Sequence, residues 1–299
     1  MSENYENMEF FAPGHGMCAG CAAPIIVRWI LKLAGPNTIV TNATGCLEVA
    51  TTAYPRTSWR VPWLHIAFEN AAAAAAGVEA ATRAKGEKLN IIAFGGDGGT
   101  VDIGFQALSG MVERGHNVLY ILYDNEAYMN TGIQRSGATP WGAWTTTSKV
   151  GNANPIGKMR PKKPIAKILA AHDIPYAATA NPAFFQDFKK KVKKALSIEG
   201  PKFLHVLSSC TTGWRHDPSK TIEILRLATD TGLFPLYEIE NGDFENMRIT
   251  YKPKKFKPVE EYLKMQGRFR HLFKNPEYVK KLQRDVDEWW AKYGKYYCP

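Results

Sequence analysis

The chain has 299 residues, of which 45% are hydrophobic and 22% are charged. These values suit one large globular domain with a tail, or two small domains, and exclude a largely disordered chain. The polar start lacks the basic and apolar stretches of a secretory signal, and no apolar run approaches the roughly 20 residues that span a bilayer. We therefore expect a cytoplasmic protein that does not enter the membrane.

The net charge is +10, and the basic residues concentrate at 158–167, at 189–194 and in the final part of the chain. A basic surface can bind nucleic acid or an acidic protein, although such runs also form solvated helix faces. None of these segments has the basic and aromatic layout of an RNA-binding motif. We therefore predict no nucleic-acid partner.

Apolar runs predict strands over 38–42, 89–94, 118–123, 176–179 and 202–207. Helical patterns occupy the segments 22–33, 69–85, 102–114, 164–171, 182–197 and 219–231. Continuous buried strands that alternate with helices predict an α/β fold with a doubly wound, mostly parallel sheet. Such a sheet binds ligands at the carboxyl ends of its strands.

The character of the sequence changes near its end. Segment 252–258 is rich in Lys and Pro and predicts an extended arm, while 259–273 and 276–293 predict charged amphipathic helices. We therefore predict an α/β domain over 1–240 and a C-terminal helical arm over 241–299.

A glycine-rich turn at 95–99 directly follows a predicted strand and precedes a helix, with Asp97 between Gly96 and Gly98 and with Gly99 next. Glycines at such a turn let backbone N–H groups approach an anion. The simpler interpretation is a glycine turn that begins a Rossmann-like helix, but these glycines fit G-x-G-x-x-G poorly.

The next predicted strand ends at Asp124-Asn125, one helix and one strand after Asp97. Both segments should emerge at the same sheet edge. The Asp97 carboxylate, the Asn125 amide oxygen and a backbone carbonyl near Ala127 are hard oxygen ligands that suit Mg²⁺.

The chain has five cysteines. Cys18 and Cys21 form a CxxC pair, whereas Cys46, Cys210 and Cys298 are remote in sequence. An odd count without an export signal argues against a disulfide framework. Four thiolates can close a zinc site or a [4Fe–4S] cluster, and the CxxC pair alone could be a redox dithiol.

The spacing of Gly96-Asp97-Gly98 and Asp124-Asn125 resembles the magnesium–diphosphate motif of thiamine-diphosphate enzymes. The following segment, 125–147, together with the cysteine pattern, resembles the β subunits of pyruvate:ferredoxin oxidoreductases and related 2-oxoacid:ferredoxin oxidoreductases. This resemblance covers about residues 10–270. It implies the diphosphate-binding domain of the thiamine-diphosphate-binding fold over 1–240, with 241–299 contacting other subunits.

The resemblance assigns roles to residues. It implies that Asp97, Asn125 and Ala127 bind Mg²⁺, with Gly96, Gly98, Gly99 and Thr131 also contacting the cofactor. It further implies that Cys18, Cys21, Cys46 and Cys210 hold a [4Fe–4S] cluster, rather than structural zinc, and that Cys298 is a free thiol.

Two further residues belong to segments that meet the cofactor in this family. Asn130 lies near the reactive end, where its amide could donate to a substrate oxygen, although it also suits a turn. Glu69 is expected beside the cofactor, but the glutamate that activates the aminopyrimidine is expected on a separate α subunit. An acid at a helix start also suits the helix dipole.

The implied activity is the reversible, coenzyme A-dependent oxidative decarboxylation of pyruvate to acetyl-CoA and CO2. Electrons would pass through the cluster to ferredoxin, and α, γ and δ subunits would complete the enzyme. Oxalate, 2-oxoisovalerate, 2-oxoglutarate and aryl-oxoacids are alternative substrates, and Trp141 and Trp144 would narrow the pocket. The alternative of another class is a non-catalytic zinc-binding or nucleic-acid-binding protein.

Overall fold

The computed structural model describes residues 5–297 and is built around one eight-stranded sheet in the order β2-β1-β3-β4-β6-β5-β7-β8. The strands are β1 Thr38–Ala43, β2 Trp63–Ile66, β3 Asn90–Gly96, β4 Val118–Asp124, β5 Tyr176–Ala180, β6 Lys202–Leu207, β7 Leu236–Glu240 and β8 Arg248–Tyr251. Neighbours from β2 to β5 pair in parallel, and β7 and β8 add two antiparallel pairings. The predicted doubly wound, mostly parallel sheet is confirmed, while β2, β7 and β8 were not predicted.

Helices cover both faces of the sheet. The α-helices are α1 Ala23–Ala34, α2 Cys46–Val49, α3 Ala71–Ala84, α4 Phe105–Glu113, α5 Ile165–Ala170, α6 Phe185–Ser197, α7 Thr211–Trp214, α8 Thr221–Asp230, α9 Val259–Lys264 and α10 Pro276–Tyr293. A π-helical turn, Gly98–Asp102, precedes α4, and 3₁₀ turns occupy Pro218–Lys220, Phe244–Asn246, Gly267–Lys274 and Gly294–Tyr296. The helix predicted over 259–273 is divided, because Gln266 between α9 and the 3₁₀ segment has extended backbone angles.

The two faces of the sheet bury separate apolar layers. Ile30 of α1 and Phe188 of α6 belong to one layer, and Leu108 and Met111 of α4 belong to the other. The alanine-rich start of α3 buries only methyl groups, so this helix approaches the sheet and α4 closely. Strands buried on both faces explain why β3 and β4 are continuous apolar runs.

The C-terminal part of the chain packs on the core. Strand β8 pairs with β7, and α10 buries Val286 and Trp290 in a third apolar cluster with α8 and α9. The division of the chain at 240 and 241 therefore falls between two paired strands, and it stays a prediction. No helix within 5–297 combines the length and apolarity that crossing a membrane requires.

The strand order creates a crevice between β1 and β3. The chain leaves β1 toward one edge, to β2, and returns as β3 on the other side of β1. Such a topological switch point leaves open space beyond the carboxyl ends of the strands. Asn42 aligns with Phe94, and Gly96 aligns with Tyr123, so the polar segments after β1, β3 and β4 meet at this edge.

Candidate active site

A cavity of about 240 Å³ lies at the switch point. Its lining comes mainly from the segments that follow β1, β3 and β4: Thr44, Gly45, Cys46, Phe68, Gly96, Asp97, Gly98, Tyr123, Asn125, Ala127, Tyr128, Met129, Asn130 and Thr131. A larger groove of about 660 Å³ lies elsewhere, around Asn37, Glu79 and Lys202, and contains none of these residues. The cavity therefore brings most of the predicted cofactor residues together with one predicted cluster cysteine.

Three oxygen-bearing groups converge on the wall of this cavity. One atom of the Asn125 side-chain amide lies 2.8 Å from Asp97 Oδ1 and 2.9 Å from the Ala127 carbonyl oxygen. The amide can stand in two orientations. With its nitrogen in that position, it donates hydrogen bonds to both oxygens. With its oxygen there, the two other oxygens face a third one. Adjacent ligands of an octahedral Mg²⁺, each about 2.0–2.1 Å from the metal, are about 2.9 Å apart. The spacing therefore fits a divalent cation.

Asp97 is buried, with 1% of its surface exposed. Burial raises the pKa of this carboxyl well above its ordinary value, and the Asp124 carboxylate raises it further, against a hydrogen bond from Ser136 Oγ that lowers it. Without a cation Asp97 therefore tends to keep its proton. A divalent ion would replace that proton and compensate the buried charge.

The pKa of Asp124 is shifted in the opposite direction. Burial favours its neutral form, but Lys162 Nζ at 2.8 Å and His205 Nε2 at 2.7 Å outweigh burial and lower its pKa below the ordinary value. Its Oδ1 also accepts a hydrogen bond from the Glu126 backbone N–H at 3.0 Å. A charged Asp124 therefore fixes the start of the loop that follows β4.

Gly98 allows two segments to approach each other. A Cβ on Gly98 would lie 2.4 Å from Cε1 of Tyr128, well inside contact distance, so only glycine lets this ring close the cavity. Gly99 is buried in the π-helical turn, and Glu69 is half-buried before α3. Neither is among the residues that line the cavity, and their contact with a cofactor stays a prediction.

Asn130 and Thr131 are exposed residues that line the cavity. Thr131 Oγ1 donates to Gln134 Oε1 at 2.7 Å. The Asn130 amide has no hydrogen-bond partner among residues 5–297, so it is available to a ligand at this position.

The CxxC turn lies against the segment that leads to Cys210. The Cys21 N–H donates to the Cys18 carbonyl at 3.0 Å, and the Ala22 N–H donates to the carbonyl of Ser209 at 3.3 Å. Cys210 then accepts at Sγ as the N-cap of α7. The fold thus brings the first and last predicted cluster ligands together across most of the chain.

Cys46 completes this group from the segment after β1. It is the first residue of α2, whose C-cap residue Ala50 accepts a hydrogen bond from the Gly16 N–H at 2.7 Å, two residues before Cys18. Cys46 also lines the cavity that contains Asp97. It is therefore the cysteine that borders the space next to the three converging oxygens.

The thiols influence one another. Burial raises the pKa of Cys21 and of Cys46 to about 12, and in both cases Cys210 and Cys18 raise it further. Burial also raises the pKa of Cys210, partly offset by the backbone N–H groups of residues 212 and 213. Four thiolates here need positive charge beside them, which a metal centre would supply.

No compact site of three or more His, Cys, Asp or Glu side chains that could hold a metal ion occurs within residues 5–297. Cys298 lies outside this described part of the chain, so its free thiol stays a prediction. The four other cysteines are candidate ligands by their number and their soft donor chemistry, and backbone hydrogen bonds join the segments that carry them.

Tyr123 is a candidate site residue that the sequence analysis placed only at the end of a strand. Its ring is buried, and its hydroxyl would lie 3.1 Å from a Cβ on Gly45 and 3.3 Å from one on Gly96. The hydroxyl has no hydrogen-bond partner in the described part of the chain, and the ring lines the cavity. Its position at the carboxyl end of an apolar strand could have predicted this, because ligands bind at that edge of a parallel sheet.

Comparisons with known proteins agree with this geometry. Residues 43–206 match the family described as "Thiamine pyrophosphate enzyme, C-terminal TPP binding domain". The solved 2-oxoglutarate:ferredoxin oxidoreductase from Magnetococcus marinus has the same fold, with a TM-score of 0.58 and 19% identity over 76% of this chain and 81% of that one. Fold and site together define a thiamine-diphosphate-binding protein.

Similar sequences narrow the class. Pyruvate synthase subunit PorB of Methanocaldococcus jannaschii is 64% identical over 94% of this chain and 95% of its own length. The PorB subunit of Thermotoga maritima is 52% identical, covering 98% and 94%. Ketoisovalerate oxidoreductase subunit VorB of Pyrococcus abyssi is 46% identical, covering 96% and 93%. The chain belongs to the PorB family of 2-oxoacid:ferredoxin oxidoreductase β subunits.

Proposed function

We propose that this chain is the catalytic β subunit of a pyruvate:ferredoxin oxidoreductase that holds thiamine diphosphate through Mg²⁺ and carries a [4Fe–4S] cluster. The enzyme oxidises pyruvate with coenzyme A to acetyl-CoA and CO2, and it passes two electrons to ferredoxin. The reverse direction uses the same site.

One observation carries the proposal. The cavity of about 240 Å³ has Asp97, Asn125 and Ala127 on its wall, and the same cavity is lined by Cys46. A transketolase or a simple decarboxylase needs a diphosphate site but no thiols beside it. Hard oxygen ligands next to a group of four thiols favour oxidative chemistry with single-electron transfer.

The residues of the diphosphate side have distinct roles in this proposal. Asp97, Asn125 and Ala127 each give one oxygen to Mg²⁺, while the close contact of Gly98 with Tyr128 shapes the wall around the diphosphate. The Asn130 amide at the cavity donates to the substrate oxygen on which negative charge develops.

The thiols of Cys18, Cys21, Cys46 and Cys210 hold the cluster. The Gly213 N–H donates to Cys210 Sγ at 3.3 Å, and such N–H···S contacts stabilise the negative charge of a bound cluster. When bound, thiamine diphosphate supplies an electron sink for decarboxylation, and the cluster accepts electrons one at a time. This chain would keep the two sites adjacent, since Asp97 and Cys46 line one cavity, and the buried ring of Tyr123 forms part of the same wall.

Other subunits complete the active site. Glu69 does not line the cavity, which supports an activating glutamate supplied by an α subunit that contributes the pyrimidine-binding domain. We further propose γ and δ subunits, with ferredoxin as the final acceptor. The PorB relatives carry subunit names, which agrees with a role inside a complex.

2-Oxoisovalerate is the second candidate substrate, because VorB is 46% identical to this chain. The two tryptophans that were expected to narrow the pocket do not decide this, since neither lines the cavity. Trp141 packs edge-on against Tyr278 of α10 with ring centroids 6.0 Å apart, and Trp144 stacks under the Arg215 guanidinium at 3.9 Å.

The test is anaerobic purification of the chain together with its partner subunits. We expect one thiamine diphosphate and one Mg²⁺ per β subunit, with iron and sulfide that include one [4Fe–4S] cluster on this chain. A panel of pyruvate, 2-oxoisovalerate, 2-oxoglutarate, oxalate and an aryl-oxoacid, each with coenzyme A and ferredoxin, should give the highest kcat/KM with pyruvate. A preparation without thiamine diphosphate, or with zinc in place of iron, would refute the proposal.

A further inference from the structure

Glu126 occupies an unusual position between two candidate metal ligands, Asn125 and Ala127. Its φ is 71°, in the left-handed region that residues with a side chain rarely adopt, and only 5% of its surface is exposed. A strained backbone conformation persists only when the surrounding structure fixes it, and a buried carboxylate persists only when it is paired.

Two cations hold the Glu126 carboxylate, one on each oxygen. Lys162 Nζ lies 2.6 Å from Oε1 and also contacts Asp124 at 2.8 Å. Arg268 Nη2 pairs with Oε2, and the Arg268 side chain is 2% exposed. The Lys162 side chain is partly exposed, so Arg268 is the more buried of the two cations that pair with Glu126.

Arg268 is itself fixed by neighbouring groups. Its Nε donates to Gln266 Oε1 at 2.9 Å, and its guanidinium lies 4.1 Å from the ring centroid of Trp214. The Trp214 indole N–H in turn donates to the backbone carbonyl of Asn125 at 2.8 Å. The 3₁₀ segment Gly267–Lys274 thus contacts the loop after β4 in two ways, directly through the Arg268–Glu126 ion pair and indirectly through Trp214.

We propose that Arg268 is a positioning residue for the divalent metal, which acts by locking Glu126 in its left-handed conformation. This inference rests on the proposed Mg²⁺ site. The left-handed turn at Glu126 points the Asn125 amide and the Ala127 carbonyl at the same place as Asp97. Without the guanidinium, Oε2 loses its partner while Lys162 still holds Oε1, so the carboxylate turns toward the more exposed Lys162 and turns these two oxygens away.

Positioning and plain electrostatics predict opposite results for Arg268→Met. Removal of a positive charge near a cation site should strengthen Mg²⁺ binding if charge alone matters. Loss of the Arg268–Glu126 ion pair should weaken Mg²⁺ binding if Arg268 acts by positioning. The direction of the change therefore distinguishes the two accounts.

The experiment uses the assembled complex, stripped with EDTA in the presence of saturating thiamine diphosphate and titrated with Mg²⁺. We expect Arg268→Met to raise the Mg²⁺ concentration at half-saturation at least tenfold, which corresponds to about 1.4 kcal/mol. Arg270→Met is the matched control, since Arg270 lies in the same 3₁₀ segment but is exposed, and it should stay within twofold of wild type.

A second variant keeps the test decisive if Arg268→Met alone folds poorly. In Arg268→Met with Glu126→Gly, no unpaired carboxylate is buried, and glycine adopts the left-handed conformation without strain. We expect Mg²⁺ affinity within about threefold of wild type. Wild-type or tighter binding by the single variant, or a double variant no better than the single one, would overturn the inference. Wild-type complex that keeps its cofactor in EDTA and ignores Mg²⁺ would instead refute the metal site.

Discussion

Gly98→Ala should damage the cofactor site through one contact. The added Cβ would lie 2.4 Å from Tyr128 Cε1, and carbon atoms in contact are about 3.5–4.0 Å apart, so the ring must move by about 1.2 Å. The ring cannot move freely, because its hydroxyl donates to Asp102 Oδ2 at 3.1 Å and the backbone N–H of Tyr128 donates to the Gln134 carbonyl at 2.9 Å. Overpacking of this kind costs roughly 1–3 kcal/mol.

The assay combines thermal unfolding with thiamine diphosphate binding by the assembled complex. At roughly 2–4 °C per kcal/mol for a chain of this size, the midpoint should fall by about 2–12 °C, with weaker cofactor binding. Gly77→Ala is the control, because nothing lies within 4 Å of its added Cβ in helix α3, and it should stabilise by about 0.5–1 kcal/mol. Unchanged midpoint and cofactor affinity in Gly98→Ala would show that Tyr128 does not form a rigid wall.

Asp97→Asn should abolish Mg²⁺-dependent cofactor retention without lowering the metal-free unfolding free energy at pH 8 in urea, because the amide avoids the burial of a carboxylate. The pKa of Asp97 is raised by burial and by Asp124, so a proton competes with the metal, and Mg²⁺ titrations should give weaker binding as the pH is lowered through the pKa of Asp97. Affinity independent of pH would exclude Asp97 as a titrating ligand. Cys46→Ser should remove the iron of one cluster per β subunit in a colorimetric iron assay, whereas Cys298→Ser should leave the iron unchanged. Equal iron in both variants would remove Cys46 from the ligand set.

Periodicity and spacing were sufficient for the parallel core of the sheet. Strands such as β4 are buried on both faces, so they stand out as apolar runs, and the interval between Asp97 and Asn125 reflects one crossover unit. Strand β2 was missed because its side chains are half-exposed at the edge of the sheet. Strands β7 and β8 were missed because these antiparallel strands carry charges such as Glu238 and Arg248 that hide the apolar pattern.

Candidate site residues that follow a short motif could be named from the sequence, whereas contacts between residues remote in sequence could not. Asp97 and Asn125 lie at strand ends, so topology alone brings them together. The pairing of Glu126 with Arg268 joins residues that are remote in sequence, and no local pattern marks it. Glu69 was expected beside the cofactor because of its neighbours in sequence; Phe68 lines the cavity, and contact of Glu69 with a cofactor stays a prediction.

The cysteines also have a mechanical consequence. They come from the start of the chain, from the end of β1 and from the end of β6, and only two backbone hydrogen bonds described above connect these segments near the thiols. The proposed cluster on Cys18, Cys21, Cys46 and Cys210 would act as an inorganic cross-link that closes long loops and restricts the unfolded chain. Oxygen that dissolves the cluster would remove this cross-link, so exposure to air should lower the free energy of unfolding of the subunit as well as bleach it.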